Sequence, residues 1–105
     1  MASSDWDNFL PLEGEIDLYR SPRVERSLDS MIKKKPDRIV VDLSGVTFID
    51  SSGMAVLIRA MQNMKEYGGK LSLSGLNDSV RPIFEIARLD QVFVIDSGET
   101  YPWVD

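Results

Sequence analysis

Two adjacent hydroxyls, Ser51 and Ser52, stand between an acid and a glycine in the stretch FIDSSGMAVLIRAM. The residues before them read as an extended apolar run, and those after them are apolar at helical spacing. The hydroxyls therefore sit at the mouth of a helix. Four chemistries fit such a place. As caps, Asp50, Ser51 or Ser52 would accept hydrogen bonds from the first free helix amides, while Gly53 permits a tight turn or a close backbone approach. As a nucleophile, a serine here would need a base. The chain has no histidine, the pattern is not Gly-x-Ser-x-Gly, no Ser-x-x-Lys replaces it, and an aspartate of pKa ~4 is a weak base. As a phosphate site, the helix start offers amides, but the glycine-rich loop and lysine of a P-loop are missing and Asp50 would repel the anion. As a modification site, a phosphoserine adds ~1.5 to 2 negative charges. The helix dipole would accommodate that charge, whereas a complex burying the same surface would not. Capping and modification are compatible with each other; catalysis has the least support.

Composition narrows the rest. The chain has 105 residues, enough for one core. With 12 basic and 17 acidic residues its formal charge is −5, against broad binding to nucleic acid or to an anionic membrane. The one basic run, Lys33-Lys34-Lys35, falls where a helix should end and complements its dipole. No cysteine and no histidine remove disulfides, thiolate chemistry, catalytic triads and the usual metal ligands, so neither a metal nor a cofactor is expected. No apolar run approaches the ~20 residues of a membrane span. The start, MASSDWD, lacks the basic and apolar regions of a secretory signal, and a cytoplasmic protein is expected.

The elements that must position the junction follow from periodicity. Residues 8–17 read as a short strand in which Pro11 implies an edge or a bulge. Residues 21–35 have helix grammar: Ser21 to cap, Pro22 at the first helical position, and a stripe of Val24, Leu28, Met31 and Ile32. After Pro36 and Asp37, residues 38–43 predict a strand buried on both faces. Residues 46–49 are a second extended piece, or its continuation beyond Ser44-Gly45. The best helix spans 54–67, stopped by Gly68-Gly69, with a core stripe of Met54, Leu57, Ile58, Met61 and Met64. Ala55 and Val56 are left on its flanks. If exposed, that part of the helix would mark a docking surface; burial between sheet and neighbouring helices explains it equally well. Residues 70–75 alternate as a strand. Asn77 or Asp78 would cap a third helix with Val80, Ile83, Phe84 and Ala87 on one face, and residues 92–96 predict a last buried strand. Strands alternating with helices through short loops require a mostly parallel sheet.

With these residues in view, the chain resembles a STAS domain, specifically an anti-sigma factor antagonist. LEGEID is similar to the family's Gly-Glu-Leu-Asp; RIVVDLSGVTFIDSSGMAVLIRAM resembles its strand, junction and helix. GGKLSLSGLNDSVRPIFEIARLDQVFVI is similar to its glycine stop, strand, short helix and last strand. The resemblance implies an α/β fold: a single STAS-like domain over 1–105, core roughly 9–96, with a mostly parallel mixed sheet of four to five strands and helices alongside. A further first strand would have to come from SSDWDN or be absent, and the tail after Asp96 is too short and too rich in turn residues for the family's long final helix. It also implies that Ser51, with Ser52 as alternate, is phosphorylated by an anti-sigma factor that is a serine kinase of the histidine-kinase-like ATPase fold, and is restored by a protein phosphatase. Asp17, Asp50, Ser52, Gly53, Met54, Ala55 and Val56 would form the partner-binding surface. The implied protein is not an enzyme, inserts in no membrane and touches no nucleic acid directly. A STAS accessory subunit regulating an ABC transporter ATPase, of the phospholipid trafficking type, shares the fold and stays open as the alternative.

Overall fold

The structure, a computed structural model, describes residues 8–89 and 92–96. Its elements alternate as expected: β1 (Phe9–Ile16), α1 (Ser21–Ile32), β2 (Arg38–Ile49), α2 (Ser51–Lys65), β3 (Lys70–Ser74), α3 (Arg81–Ile86) and β4 (Val94–Asp96). The strands lie in the order β1-β2-β3-β4, every neighbouring pair parallel. Because this order never reverses, right-handed crossovers carry the helices onto one face. On that face Leu10, Ile39, Val41, Leu43, Leu71, Leu73 and Ile95 meet Leu28, Leu57, Met64 and Phe84 in one core. Val40 and Ser72, one residue out of phase, are buried on the other face, but Arg38 is exposed and Asp42 half-buried there, so β2 is covered on that side only around Val40. The segment 3–7, invoked for an additional first strand, and the tail after Asp96 lie outside the described residues.

Residues 46–49 continue β2 and do not start a new strand. The extra length is absorbed by register shifts against β1 between Pro11 and Glu13 and between Gly14 and Glu15. Pro11, lacking an amide hydrogen, sits at the first of these, on a strand paired on one side only among the described residues. β3 ends at Ser74 opposite Asp42, leaving the later carbonyls of β2 without a strand partner on that side. Asn77 replaces it. Its amide nitrogen donates to the carbonyls of Leu43 (3.3 Å), Ser44 (3.2 Å) and Val46 (2.8 Å).

Three local expectations shift. Ser21 is the first residue of α1, with Arg20 at the cap position and no side-chain cap; Asp17 closes the turn before the helix, its Oδ1 accepting from the Tyr19 and Arg20 amides and its carbonyl from the Ser21 amide. Asn77 Oδ1 closes a turn on Ser79 and Val80, and the third helix itself starts only at Arg81, leaving Ala87 exposed past its end. The last strand is short, and Val92 and Val94 are half-exposed while Phe93 is buried edge-on against Phe84. β4 has a strand neighbour on one side only among the described residues, so burial on both faces is not enforced.

Parallel strands give the sheet two unlike ends. Every lysine of the chain, Lys33, Lys34, Lys35, Lys65 and Lys70, lies where α1 and α2 finish and β2 and β3 begin. Ser51 lies at the other end: it opens the fifteen-residue α2 that Lys65 closes, about 21 Å away at about 1.5 Å per residue. Gly68, at φ +87°, stops α2 there, and the Gly69 amide returns to the Met64 carbonyl.

Candidate functional site

α2 begins three residues earlier than periodicity alone places it, because Asp50 caps it. Asp50 is extended (φ −96°, ψ −174°), and its Oδ1 accepts from the amides of Ser52 (2.8 Å) and Gly53 (3.1 Å). Of the three capping candidates, the carboxylate takes the role and frees both hydroxyls. Its second oxygen, Oδ2, accepts from the Leu18 amide at 3.1 Å, across to the β1–α1 loop. The Asp50 amide in turn donates to the Ile16 carbonyl. One aspartate therefore joins the end of β1, the loop after it and the start of α2. That bridge carries no local sequence signal, since its partners are 32 residues apart.

Gly53 serves a close approach and has an ordinary helical backbone. A Cβ built there would lie 2.6 Å from the Ile16 carbonyl oxygen and 2.9 Å from the Cγ2 atoms of Ile16 and Ile49. The helix start thus rests directly on the strand ends.

Ser51 is the first residue of α2, exposed, and its hydroxyl makes no hydrogen bond among the described residues. Ser52 is half-buried beside the cap. From Ser51 an apolar groove of about 440 Å3 runs between α2 and the α3 region, lined by Met54, Ala55, Ile58, Ile83, Ala87 and Leu89. Within the trio Met54, Ala55 and Val56, only Ala55 is exposed; Met54 and Val56 are 8% exposed each. Val56 shares its face with Ala60 and Arg59, and Arg59 pairs with Glu25 of α1, so this flank packs on a helix. The all-round apolar start of α2 is explained by that burial, not by a patch in which Val56 faces solvent.

Asp17 lies in the loop that Asp50 holds. Its Oδ1 accepts from the Tyr19 and Arg20 amides at 3.0 Å each, and its carbonyl accepts from Ser21 at 2.8 Å. Asp17, Asp50, Ser51, Ser52, Gly53 and Ala55 thus gather at one end of the sheet. Sequence reasoning missed Leu18 and Tyr19 of the same loop, which are 63% and 88% exposed. The available signal was two large apolar residues in a short turn where polar residues are usual. Among the described residues there is no metal-binding cluster and no helix long and apolar enough to cross a membrane.

This geometry accords with comparisons to known proteins. The STAS domain family model matches residues 6–105. The anti-sigma-B factor antagonist of Listeria monocytogenes is 33% identical over 86 residues, covering 82% of this chain and 75% of that protein. Among solved structures, an anti-sigma factor antagonist from Mycobacterium paratuberculosis superposes with a TM-score of 0.75 at 24% identity, over 90% of this chain and 75% of that one. The Bacillus cell fate determinant SpoIIAA in its phosphorylated form gives 0.68 at 18% identity, over 87% and 81%. The chain belongs to the STAS domain family, among relatives named anti-sigma factor antagonists.

Proposed function

We propose that this chain is a non-enzymatic anti-sigma factor antagonist whose partner is controlled by phosphorylation of Ser51. One observation carries the reading: among the described residues the Ser51 hydroxyl, at the first position of α2, is unengaged, while the Asp50 carboxylate caps the helix. A phosphoryl group can then be added or removed without touching the hydrogen bonds that hold the junction. The first-turn amides and the helix dipole lessen its cost to the fold. The cost to a complex is larger, because the new charge stands beside Asp50 at the mouth of an apolar groove that a partner would desolvate. A penalty of ~3 kcal/mol lowers affinity about a hundredfold, enough for a switch. Asp17, Asp50, Ser52 and Gly53 set the shape of the surface, Ala55 lies on it, and Met54 and Val56 support it from the core.

The partner in this reading is an anti-sigma factor that is also a serine kinase of the histidine-kinase-like ATPase fold, opposed by a phosphatase, in the cytoplasm. The test is a pull-down from the host with wild type, Ser51→Ala and Ser51→Asp, all shown to be folded, followed by purification of the recovered kinase and titration. The expected result is capture by wild type and Ser51→Ala, phosphorylation of wild type only, and affinity lower by about a hundredfold for Ser51→Asp. Equal binding by wild type and Ser51→Asp would refute control through Ser51. Recovery of an ABC transporter ATPase in place of the kinase would assign the chain to transporter regulation.

A further inference from the structure

The loop between β1 and α1 combines two properties that rarely occur together. Its side chains are bare: Leu18 is 63% and Tyr19 88% exposed. Its backbone is held as tightly as a core turn. The Leu18 amide donates to Asp50 Oδ2 (3.1 Å), and the Tyr19 and Arg20 amides donate to Asp17 Oδ1 (3.0 Å each). The Ser21 amide donates to the Asp17 carbonyl (2.8 Å), and Ser21 Oγ donates to the Leu18 carbonyl (3.5 Å). Every amide from Leu18 to Ser21 is engaged, three of them by carboxylates, whose hydrogen bonds are the stronger kind. Scattered exposed apolar residues are ordinary on protein surfaces. An adjacent pair held on a fixed backbone, in a turn that polar residues would serve better, is not explained by folding.

Location supplies the rest. Asp50 Oδ1 holds the first turn of α2 and Oδ2 holds Leu18, so one carboxylate separates Leu18 from the helix start that carries Ser51. Resting on the reading proposed above, we infer that Leu18 and Tyr19 are the apolar anchor that docks the anti-sigma kinase, entering an apolar socket on that partner beside the place where Ser51 is read. Tyr19 brings a large ring with few rotatable bonds, the residue type enriched among energetically dominant contacts. The pinned backbone reduces the ordering cost that binding would otherwise carry. Continuity with Ser51 through Asp50 favours the kinase as occupant, since Asp50 Oδ2 holds the loop while Oδ1 holds the helix turn that carries the serine. The anchor also gives the complex an affinity component that the phosphate does not touch, so Ser51 sets when the partner binds and the loop sets which partner.

The test uses the purified kinase recovered by wild type in the preceding experiment, titrated with the full chain and its variants. Tyr19→Ala is expected to raise Kd about thirtyfold or more and Leu18→Ala about tenfold. Tyr19→Phe should stay within about threefold, because the ring and not the hydroxyl fills the socket. Val92→Ala, an exposed apolar residue at the lysine end of the sheet, should leave Kd unchanged. Melting temperatures should match wild type in all of them, since none of these side chains is buried. If Tyr19→Ala and Leu18→Ala bind like wild type while Ser51→Asp does not, the anchor is refuted and the switch stands. If wild type binds no kinase, both fall. A dimer in light scattering that Tyr19→Ala dissolves would give the loop to a second copy and overturn this assignment.

Discussion

Gly53→Ala sets two effects of opposite sign against each other. Inside a helix, alanine is favoured over glycine by about 1 kcal/mol, so an isolated α2 would gain from the change. The added Cβ, however, meets the Ile16 carbonyl oxygen at 2.6 Å, and both isoleucine Cγ2 atoms at 2.9 Å. A backbone carbonyl cannot rotate away as a side-chain tip can. The start of α2 must retreat by about 0.4 Å merely to reach the shortest contact real Cβ atoms show, and overpacking of this kind costs ~1–3 kcal/mol. Retreat also lengthens the 3.1 Å bond from Leu18 to Asp50, worth a further ~1 kcal/mol. The clash wins, with a net loss of about 2 kcal/mol. Urea unfolding should show a lower midpoint at unchanged slope, and the melting temperature should fall by about 8–16 °C for a chain of this size. Hydrogen exchange at the Leu18 amide should accelerate more than elsewhere. A variant as stable as wild type, or more stable, would refute the reasoning, because propensity would then outweigh contact between helix and strand.

Further outcomes follow from the same geometry. Asp50→Asn keeps a capping oxygen but turns an amide toward the Leu18 N–H, so it should cost ~1 kcal/mol, and Asp50→Ala ~2–3 kcal/mol; equal losses in a urea titration would show that the two carboxylate oxygens do not act separately. Asn77→Ala should cost ~2–3 kcal/mol, since the Leu43, Ser44 and Val46 carbonyls lose a shared donor, and Asn77→Asp should be no better because it points an acceptor at them. Burial, and then the nearby charge of Asp37, raise the Tyr67 phenol above its ordinary 10.0, and its hydroxyl donates to the Pro36 carbonyl at 2.8 Å. Its contribution is therefore complete below pH ~10 and disappears as pH rises through the folded-state value. Tyr67→Phe should lose ~1 kcal/mol at neutral pH yet show a flatter alkaline decline, read by circular dichroism from pH 8 to 12; an unchanged decline would remove Tyr67 as its source.

Local features of the chain proved legible wherever a single element contained the cause. The alternating strands and helices, the bulge at Pro11, the glycine stop after α2 and the capped start at residues 50–53 are local patterns, and the structure has them. What escaped is tertiary. Val56 lies on the flank of the α2 stripe, and nothing near it in the chain reveals that α1 covers that flank. Asn77 reads as a cap, yet its amide nitrogen acts on a strand more than thirty residues back. Asp50 was legible as a cap and illegible as a bridge for the same reason: its first oxygen acts two and three residues away, its second 32.

The confinement of every lysine to one end of the sheet makes the molecule chemically two-sided. Reagents that seek primary amines of side chains act at the end remote from Ser51. A chain immobilised through its lysines on a sensor surface therefore stands with Ser51, Leu18 and Tyr19 toward the solution, in one orientation, whereas coupling through carboxylates would engage Asp17 and Asp50 and foul that face. The same separation applies in a cell: acylation of the lysines and phosphorylation of the serine would alter opposite ends of one rigid sheet, so each mark could be written and erased without regard to the other.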